Sequence, residues 1–365
     1  MADEDRRALL VAGIASATGG WLRGGAPAAQ EAHAAQPEPA KRMLELPGLV
    51  DLQLNGFAGV DFGDPALTVE RVAQAVEAVG RTGVTRFLPT LITSAPETFA
   101  ACARTLVRAA QPAIAGLHME GPYISPEEGY RGAHARAYVR DADVDDFERR
   151  QDAAQGRIRL LTLAPEMPGA LRLIEHAVAS GVRVAIGHTA ATGAQLRDAV
   201  KAGATLATHL GTGCPATLPR HPNVIWEQLA EDGLLASFIV DGHHLPPATV
   251  KAMVRAKTEV RSILVTDAIA AAGMSPGRYT LGGQTVELDA SGRVAAPGAT
   301  NLAGSALRLD VAIGNTVRFT GLALEAVVAM ASIRPASYLG IATAGKLTAE
   351  WDEASFALRV VRVTA

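Results

Sequence analysis

From Pro47 to about Gly340 the chain alternates two hydrophobic patterns. Short runs with consecutive apolar positions read as strands buried on both faces, as in a parallel sheet covered by helices. Eight are predicted: Leu49–Leu54, Arg86–Pro89, Ile114–Met119, Ile158–Leu163, Arg183–Ile186, Leu206–Leu210, Ala236–Val240 and Ser262–Thr266. Between them, apolar residues recur at helical spacing over Val69–Val79, Thr98–Ala110, Pro168–Ser180 and Thr192–Ala202. Gly181 and Gly203 stand where helices stop, and Pro246–Lys257 opens with prolines that suit a first helical turn. Strands alternating with helices eight times predict an α/β fold of the TIM-like (β/α)8 type. A doubly wound sheet is the second choice, but no Gly-x-Gly-x-x-Gly follows an early strand.

The two ends read differently. LLVAGIASATGG reads as a strand and turn, and the Ala/Pro/Gln-rich stretch from Ala26 to Ala40, with His33, as a loose linker. A twin-arginine export signal on Arg6 and Arg7 is the minority alternative. SFALRVVRV near the C-terminus reads as extra strands outside the barrel, pairing with the N-terminal segment. The expected organisation is thus a partial small β domain and linker over residues 1–46, a barrel over 47–343, and C-terminal strands of the small domain over 344–365, the two terminal segments together forming a small, truncated β-sandwich.

The chain has 365 residues, 48% hydrophobic and 19% charged, so wholesale disorder is excluded. A formal net charge of -3 gives no nucleic-acid footprint. No apolar run approaches the ~20 residues that span a bilayer. Two cysteines, Cys102 and Cys214, cannot build a disulfide framework or a thiolate metal site, and fit a reducing compartment. The expected location is the cytoplasm.

In a barrel of this kind the catalytic groups sit at the C-terminal ends of the strands. Here five strand ends carry groups that bind metal or move protons: His118 and Glu120, His188, His209, then Asp241 with His243 and His244, and Asp267. Glu120, His188 and His209 offer one carboxylate and two imidazoles from separate strands. That set leaves a position open on a divalent ion, as in a catalytic zinc site. Iron, nickel and cobalt share these preferences. Buried histidines bonded to backbone are the plain alternative. Asp267 is placed to take a proton from water and return it to a leaving amine, or else to cap a helix. Glu166 reads as structural or supporting, His176 as mid-helix and His221 as a loop residue.

These segments resemble the amidohydrolase superfamily, and within it the N-acetylglucosamine-6-phosphate deacetylases. The resemblance is carried by PGLVDLQLNGFAGVDF (Pro47–Phe62), GLHMEGPYIS (Gly116–Ser125), LTLAPE (Leu161–Glu166), IGHTAA (Ile186–Ala191), THL (Thr208–Leu210), DGHHLPP (Asp241–Pro247), LVTDA (Leu264–Ala268) and NLAGSAL (Asn301–Leu307). It implies that Glu120, His188 and His209 hold one metal ion and that Asp267 is the catalytic aspartate. It implies that His134 polarises the substrate carbonyl. It also implies substrate contacts at Arg220, His244 and Leu302, with Arg220 reaching across a homodimer interface to the sugar phosphate. Gln53 and Asn55 stand where many superfamily members have a metal-binding His-x-His, which implies the single-metal variant. One departure is the Gly211-Thr212-Gly213-Cys214 stretch, where the family has an aromatic and then Asn-Ala-Met. Thr212 and Gly213 are the expected substrate contacts there, through backbone amides that glycine leaves accessible.

The function these readings imply is metal-dependent removal of an acetyl group from an amino sugar, foremost N-acetylglucosamine 6-phosphate. A deacylase of an unphosphorylated N-acyl amino sugar or N-acyl amino acid is the second reading. A catalytically silent sugar-binding barrel is the third, and the intact Glu120, His188, His209 and Asp267 set argues against it.

Overall fold

The structure, a computed structural model, describes residues 41–281, 284–299 and 301–364. The strand, turn and linker expected within residues 1–40 lie outside the described residues.

In chain order, β1 (Lys41–Pro47) leads into β2 (Leu49–Leu54) and a small hairpin, β3 (Gly56–Phe57) and β4 (Val60–Asp61). There follow α1 (Val69–Gly80), β5 (Val84–Leu91), α2 (Pro96–Arg108), β6 (Leu117–Glu120), α3 (Val144–Ala153), β7 (Ile158–Leu163), α4 (Ala170–Ala179) and β8 (Arg183–Ile186). Then come α5 (Gly193–Ala202), β9 (Leu206–Ala207), α6 (Val224–Ala230), β10 (Leu235–Phe238), α7 (Pro247–Lys257) and β11 (Ser262–Leu264). A three-stranded insertion, β12 (Gly277–Leu281), β13 (Gln284–Leu288) and β14 (Val294–Ala295), precedes α8 (Leu309–Thr320), α9 (Leu324–Met330) and α10 (Ile333–Leu339). The chain ends in β15 (Lys346–Asp352) and β16 (Ala357–Thr364).

Eight parallel strands run in the order β2-β5-β6-β7-β8-β9-β10-β11. A parallel bridge between Leu54 and Ala268 brings the two outer edges together, so the barrel is nearly closed. All six residues of β2 are buried, and the helices supply the outer cover. Caps fix where several helices begin and end. Thr192 and Gln195 form a reciprocal capping box at the start of α5, and Gly203 ends that helix in the left-handed region.

All eight strand positions match, yet several predicted runs are longer than the ladder that forms. Ile114 lies in a turn, its N–H bonded to Gln111 O, and reaches Phe87 only by an isolated bridge. β9 stops at Ala207 because the backbone turns at His209, and β11 stops before Asp267. Ile239, Val240 and Val265 are buried beyond the paired segments, so apolar character marks burial there and not pairing.

β12, β13 and β14 are antiparallel and have no counterpart in the sequence reading. They pack on a small separate core of Ile269, Ala271, Val286, Leu288 and Val294. At the other end, β1 and β16 flank β15 in an antiparallel sheet. Leu347, Ala349 and Trp351 alternate inward along β15 and are buried. Among the described residues this small β part is one three-stranded sheet rather than a sandwich.

Candidate metal centre and active site

Glu120 is the last residue of β6, and His188, His209 and Asp267 lie just beyond β8, β9 and β11. His188, His209 and Asp267 all have positive φ, at 50°, 31° and 50°. Such backbone is uncommon for non-glycine residues and persists where surrounding structure enforces it, often at functional sites. Each strand therefore breaks sharply and turns its polar side chain over the barrel mouth.

Three donor atoms converge. His209 Nε2 lies 3.0 Å from Glu120 Oε1 and 3.1 Å from His188 Nε2, and His188 Nε2 lies 3.3 Å from Glu120 Oε1. Three ligands held ~2.0–2.1 Å from one tetrahedral ion stand about 3.3–3.4 Å apart, so this triangle fits a divalent cation to within a few tenths of an ångström. The remote nitrogens support it. His188 Nδ1 lies 2.9 Å from the Tyr130 carbonyl, which can only accept, so Nδ1 carries the proton and Nε2 is left with its lone pair. Burial would lift the Glu120 carboxyl, but His188 and His209, with His134 nearby, hold it well below the usual carboxylate range.

His134 is also near, so that Glu120, His134 and His188 present ligand atoms within 4.8 Å of one another. Its tautomer argues for another task. The Thr93 backbone N–H donates to His134 Nδ1 at 3.4 Å, and Thr93 Oγ1 lies 2.8 Å from the same nitrogen. Nδ1 therefore accepts, and Nε2–H remains a donor, 3.8 Å from Glu120 Oε2. Burial, then the neighbouring His188, push the His134 pKa down to about 3, so the ring is neutral at physiological pH.

Asp267 lines the same pocket as Glu120, His188 and His209 and feels the charge of Glu120. Burial, then the charge of Glu120, raise its carboxyl to about 6, against the lowering effects of His209, His244 and Asn55. Asn55 Nδ2 donates to Asp267 Oδ1, and Gln53 Nε2 donates to Glu120 Oε1 at 3.0 Å. The two first-strand amides thus bond to the two carboxylates of the site.

Asn55, Glu120, His134, His188, His209 and Asp267 line one pocket of about 360 Å³, together with Gly132, Thr212, Gly213, His244, Asn301 and Leu302. That volume suits a small polar substrate. A larger cavity of about 830 Å³ adjoins it through Asn55, Ile92 and Ala133, but Glu120, His188, His209 and Asp267 all face the smaller one. His244 Nδ1 lies 2.7 Å from Asp241 Oδ2, and the same aspartate accepts the His243 and His244 amides. Arg220 is exposed on the loop before α6, outside the pocket of its own chain. Thr212 Oγ1 contacts His209, and Gly213 lies against the rings of both His188 and His209. A Cβ at Gly213 would stand 3.0 Å from His188 Nδ1, and φ there is +60°. Glu166 holds the turn after His188, accepting from Thr189 Oγ1 and the Ala190 amide. His118 lies deeper, between Thr90 and Thr162. Sequence reasoning missed Tyr130 and Thr93, which fix the imidazoles, and the donor roles of Gln53 and Asn55. Tyr130 acts through its backbone carbonyl, which leaves no side-chain signature. Gln53 and Asn55 had a signal, their place on the first strand.

The Amidohydrolase family matches residues 44–353. An N-acetylgalactosamine-6-phosphate deacetylase from Escherichia coli O157:H7 is 35% identical over 303 residues, covering 82% of this chain and 78% of that protein. The human N-acetylglucosamine-6-phosphate deacetylase is 38% identical over 314 residues, covering 81% and 74%. Among solved structures, an aspartate-to-alanine mutant of the Mycobacterium smegmatis N-acetyl-D-glucosamine-6-phosphate deacetylase, in complex with N-acetyl-D-glucosamine-6-phosphate, superimposes with a TM-score of 0.80. It is 33% identical, and the match covers 87% of this chain and 85% of that one.

Proposed function

The chain belongs to the amidohydrolase family, and from that premise we propose that it is a metal-dependent deacetylase that hydrolyses N-acetylglucosamine 6-phosphate to glucosamine 6-phosphate and acetate. The observation that carries the reading is the triangle of Glu120, His188 and His209, with Asp267 and His134 lining the same pocket.

Glu120 Oε1, His188 Nε2 and His209 Nε2 would hold one divalent cation, for which zinc best matches the ligand chemistry. The cation supplies Lewis acidity, which polarises an acyl oxygen and makes water acidic enough to act as a nucleophile near neutral pH. Asp267 accepts the proton of the attacking water. It later returns that proton to the amide nitrogen, since an amide anion is too basic to leave unprotonated. His134 donates its Nε2–H to the acyl oxygen as negative charge develops there. Asn55 keeps the Asp267 carboxylate turned toward the reacting centre. His244, Leu302 and the backbone of the turn at Gly213 contact the sugar phosphate. Arg220 completes the phosphate contact from the second subunit of a homodimer; its exposed position outside its own pocket is compatible with that role. Among the described residues no helix is long and apolar enough to cross a membrane. With two free cysteines, the reading places the enzyme in the cytoplasm.

The test is a panel of phosphorylated and unphosphorylated N-acetyl hexosamines, in gluco and galacto forms, assayed for acetate release. Preference for the 6-phosphates by at least tenfold in kcat/KM supports the reading. Equal rates with and without phosphate would turn it toward the unphosphorylated N-acyl sugars. The resemblance to an N-acetylgalactosamine-6-phosphate deacetylase makes the galacto epimer the substrate to compare first.

A further inference from the structure

The hydroxyl of Thr212 has two partners, both on one residue. Thr212 Oγ1 lies 2.7 Å from the His209 carbonyl oxygen and 2.8 Å from His209 Nδ1. A carbonyl only accepts, so the single hydroxyl proton goes to His209 O, and the oxygen lone pair is free to accept from Nδ1–H. In the neutral ring, the form that can bind a cation, a protonated Nδ1 leaves Nε2 with its lone pair, and Nε2 is the atom that faces Glu120 and His188. The arrangement is closed on itself. The Thr212 amide bonds back to the same carbonyl at 3.1 Å, and His209 sits at φ 31°. Gly213 follows with φ +60°, against the imidazoles of His209 and His188. The turn after His209 therefore clamps that ring through one hydroxyl and through close backbone packing.

We propose that Thr212 is a positioning residue that fixes the tautomer and orientation of His209 for metal binding, and that its side chain makes no substrate contact. The assignment rests on the metal-dependent reading of the site. Its hydroxyl has its proton committed to His209 O and a lone pair to His209 Nδ1, and its amide is bonded to the same carbonyl, so substrate recognition by this turn falls to the backbone at Gly213. His188 uses a backbone carbonyl, that of Tyr130, for the same purpose. His209 uses a side chain, and that makes its support open to substitution. Groups of this kind commonly contribute 10–100-fold in metal affinity.

The test measures Zn²⁺ affinity by chelator competition on the full chain, for wild type, Thr212→Val, Thr212→Ala and Thr212→Ser, with acetate release at saturating Zn²⁺ alongside. Valine keeps the shape and removes the hydroxyl; alanine removes it without any added bulk, which covers the case in which valine misfolds. The expected result is Zn²⁺ binding weakened about 10–100-fold in both, recovery to within about threefold of wild type in the serine variant, and a KM for phosphorylated substrate that stays near wild type once Zn²⁺ saturates. Unchanged Zn²⁺ affinity with a raised KM would overturn the proposal and return Thr212 to the substrate. Wild-type protein that holds no Zn²⁺ affected by His209→Ala would overturn the metal reading and this assignment together.

Discussion

Asn55 Nδ2 lies 2.6 Å from Asp267 Oδ1, joining the end of the first barrel strand to the loop after the last. The neighbouring backbone ties the same two places together, through the Asp267 amide on Gln53 O and the Asn55 amide on Ala268 O. The carboxylate is thus fixed where the barrel closes. Asn55→Ala should lower turnover about 10–100-fold by letting the carboxylate swing, while bound metal stays near wild type. Asp267→Asn should cost more, ~10²–10⁴-fold, because the proton carrier itself is lost. Steady-state kinetics beside metal analysis tests both. Near-normal turnover in Asp267→Asn would remove it from the mechanism.

Metal content should be one ion per chain. Gln53 and Asn55 donate through their amide nitrogens to Glu120 and Asp267, the carboxylates a second ion would need. His188→Ala and His209→Ala should each lose metal and activity together, and a strong chelator should abolish acetate release until a divalent ion is restored. Elemental analysis showing two tightly held ions would contradict the single-site geometry.

A second buried acid, beneath the site, sets a pH dependence of stability. Asp51 accepts from the Thr266 hydroxyl and from the Thr266 and Gln53 amides, yet burial lifts its carboxyl to about 7. Its folded pKa is above its unfolded one, so between about pH 4 and pH 7 the folded state binds more protons than the unfolded state. That contribution to stability is present at low pH and is lost as pH rises through 7. Asp51→Asn removes the titration. Relative to wild type, the variant should therefore gain stability on going from pH 4 to pH 8, by a few kcal/mol at ~1.4 kcal/mol per pKa unit. Denaturant melts at the two pH values measure this, and a stability difference that does not change with pH would show that Asp51 is not buried as an acid.

Arg220→Ala tests the phosphate arm. If Arg220 meets the phosphate across a dimer interface, its loss should weaken phosphorylated-substrate use by ~2–5 kcal/mol and leave unphosphorylated sugar almost unaffected. Kinetics on both substrates, with the assembly checked by light scattering, separates this from loss of the dimer. Equal loss on both substrates in an intact assembly would argue that Arg220 pins its own loop.

The pattern of apolar runs determined the barrel, because strands covered on both faces carry apolar residues at adjacent positions, as Leu49-Val50 and Leu160-Leu161 do. Polar residues closing such runs also marked Glu120, His188, His209 and Asp267 as candidates, since burial at a strand end excludes a charge that has no task or partner. What sequence order could not carry is distance between strands. The 3.0–3.3 Å triangle of donors, the Thr93 amide that leaves His134 a donor, and the Asn55–Asp267 contact across 212 positions arise only when the barrel closes. The antiparallel insertion β12–β14 was also invisible, because its strands bury side chains against a small separate core and carry too short an apolar signal. Tertiary structure likewise decided that the Thr212 hydroxyl meets His209, since the left-handed turn at His209 folds the chain back over its own imidazole.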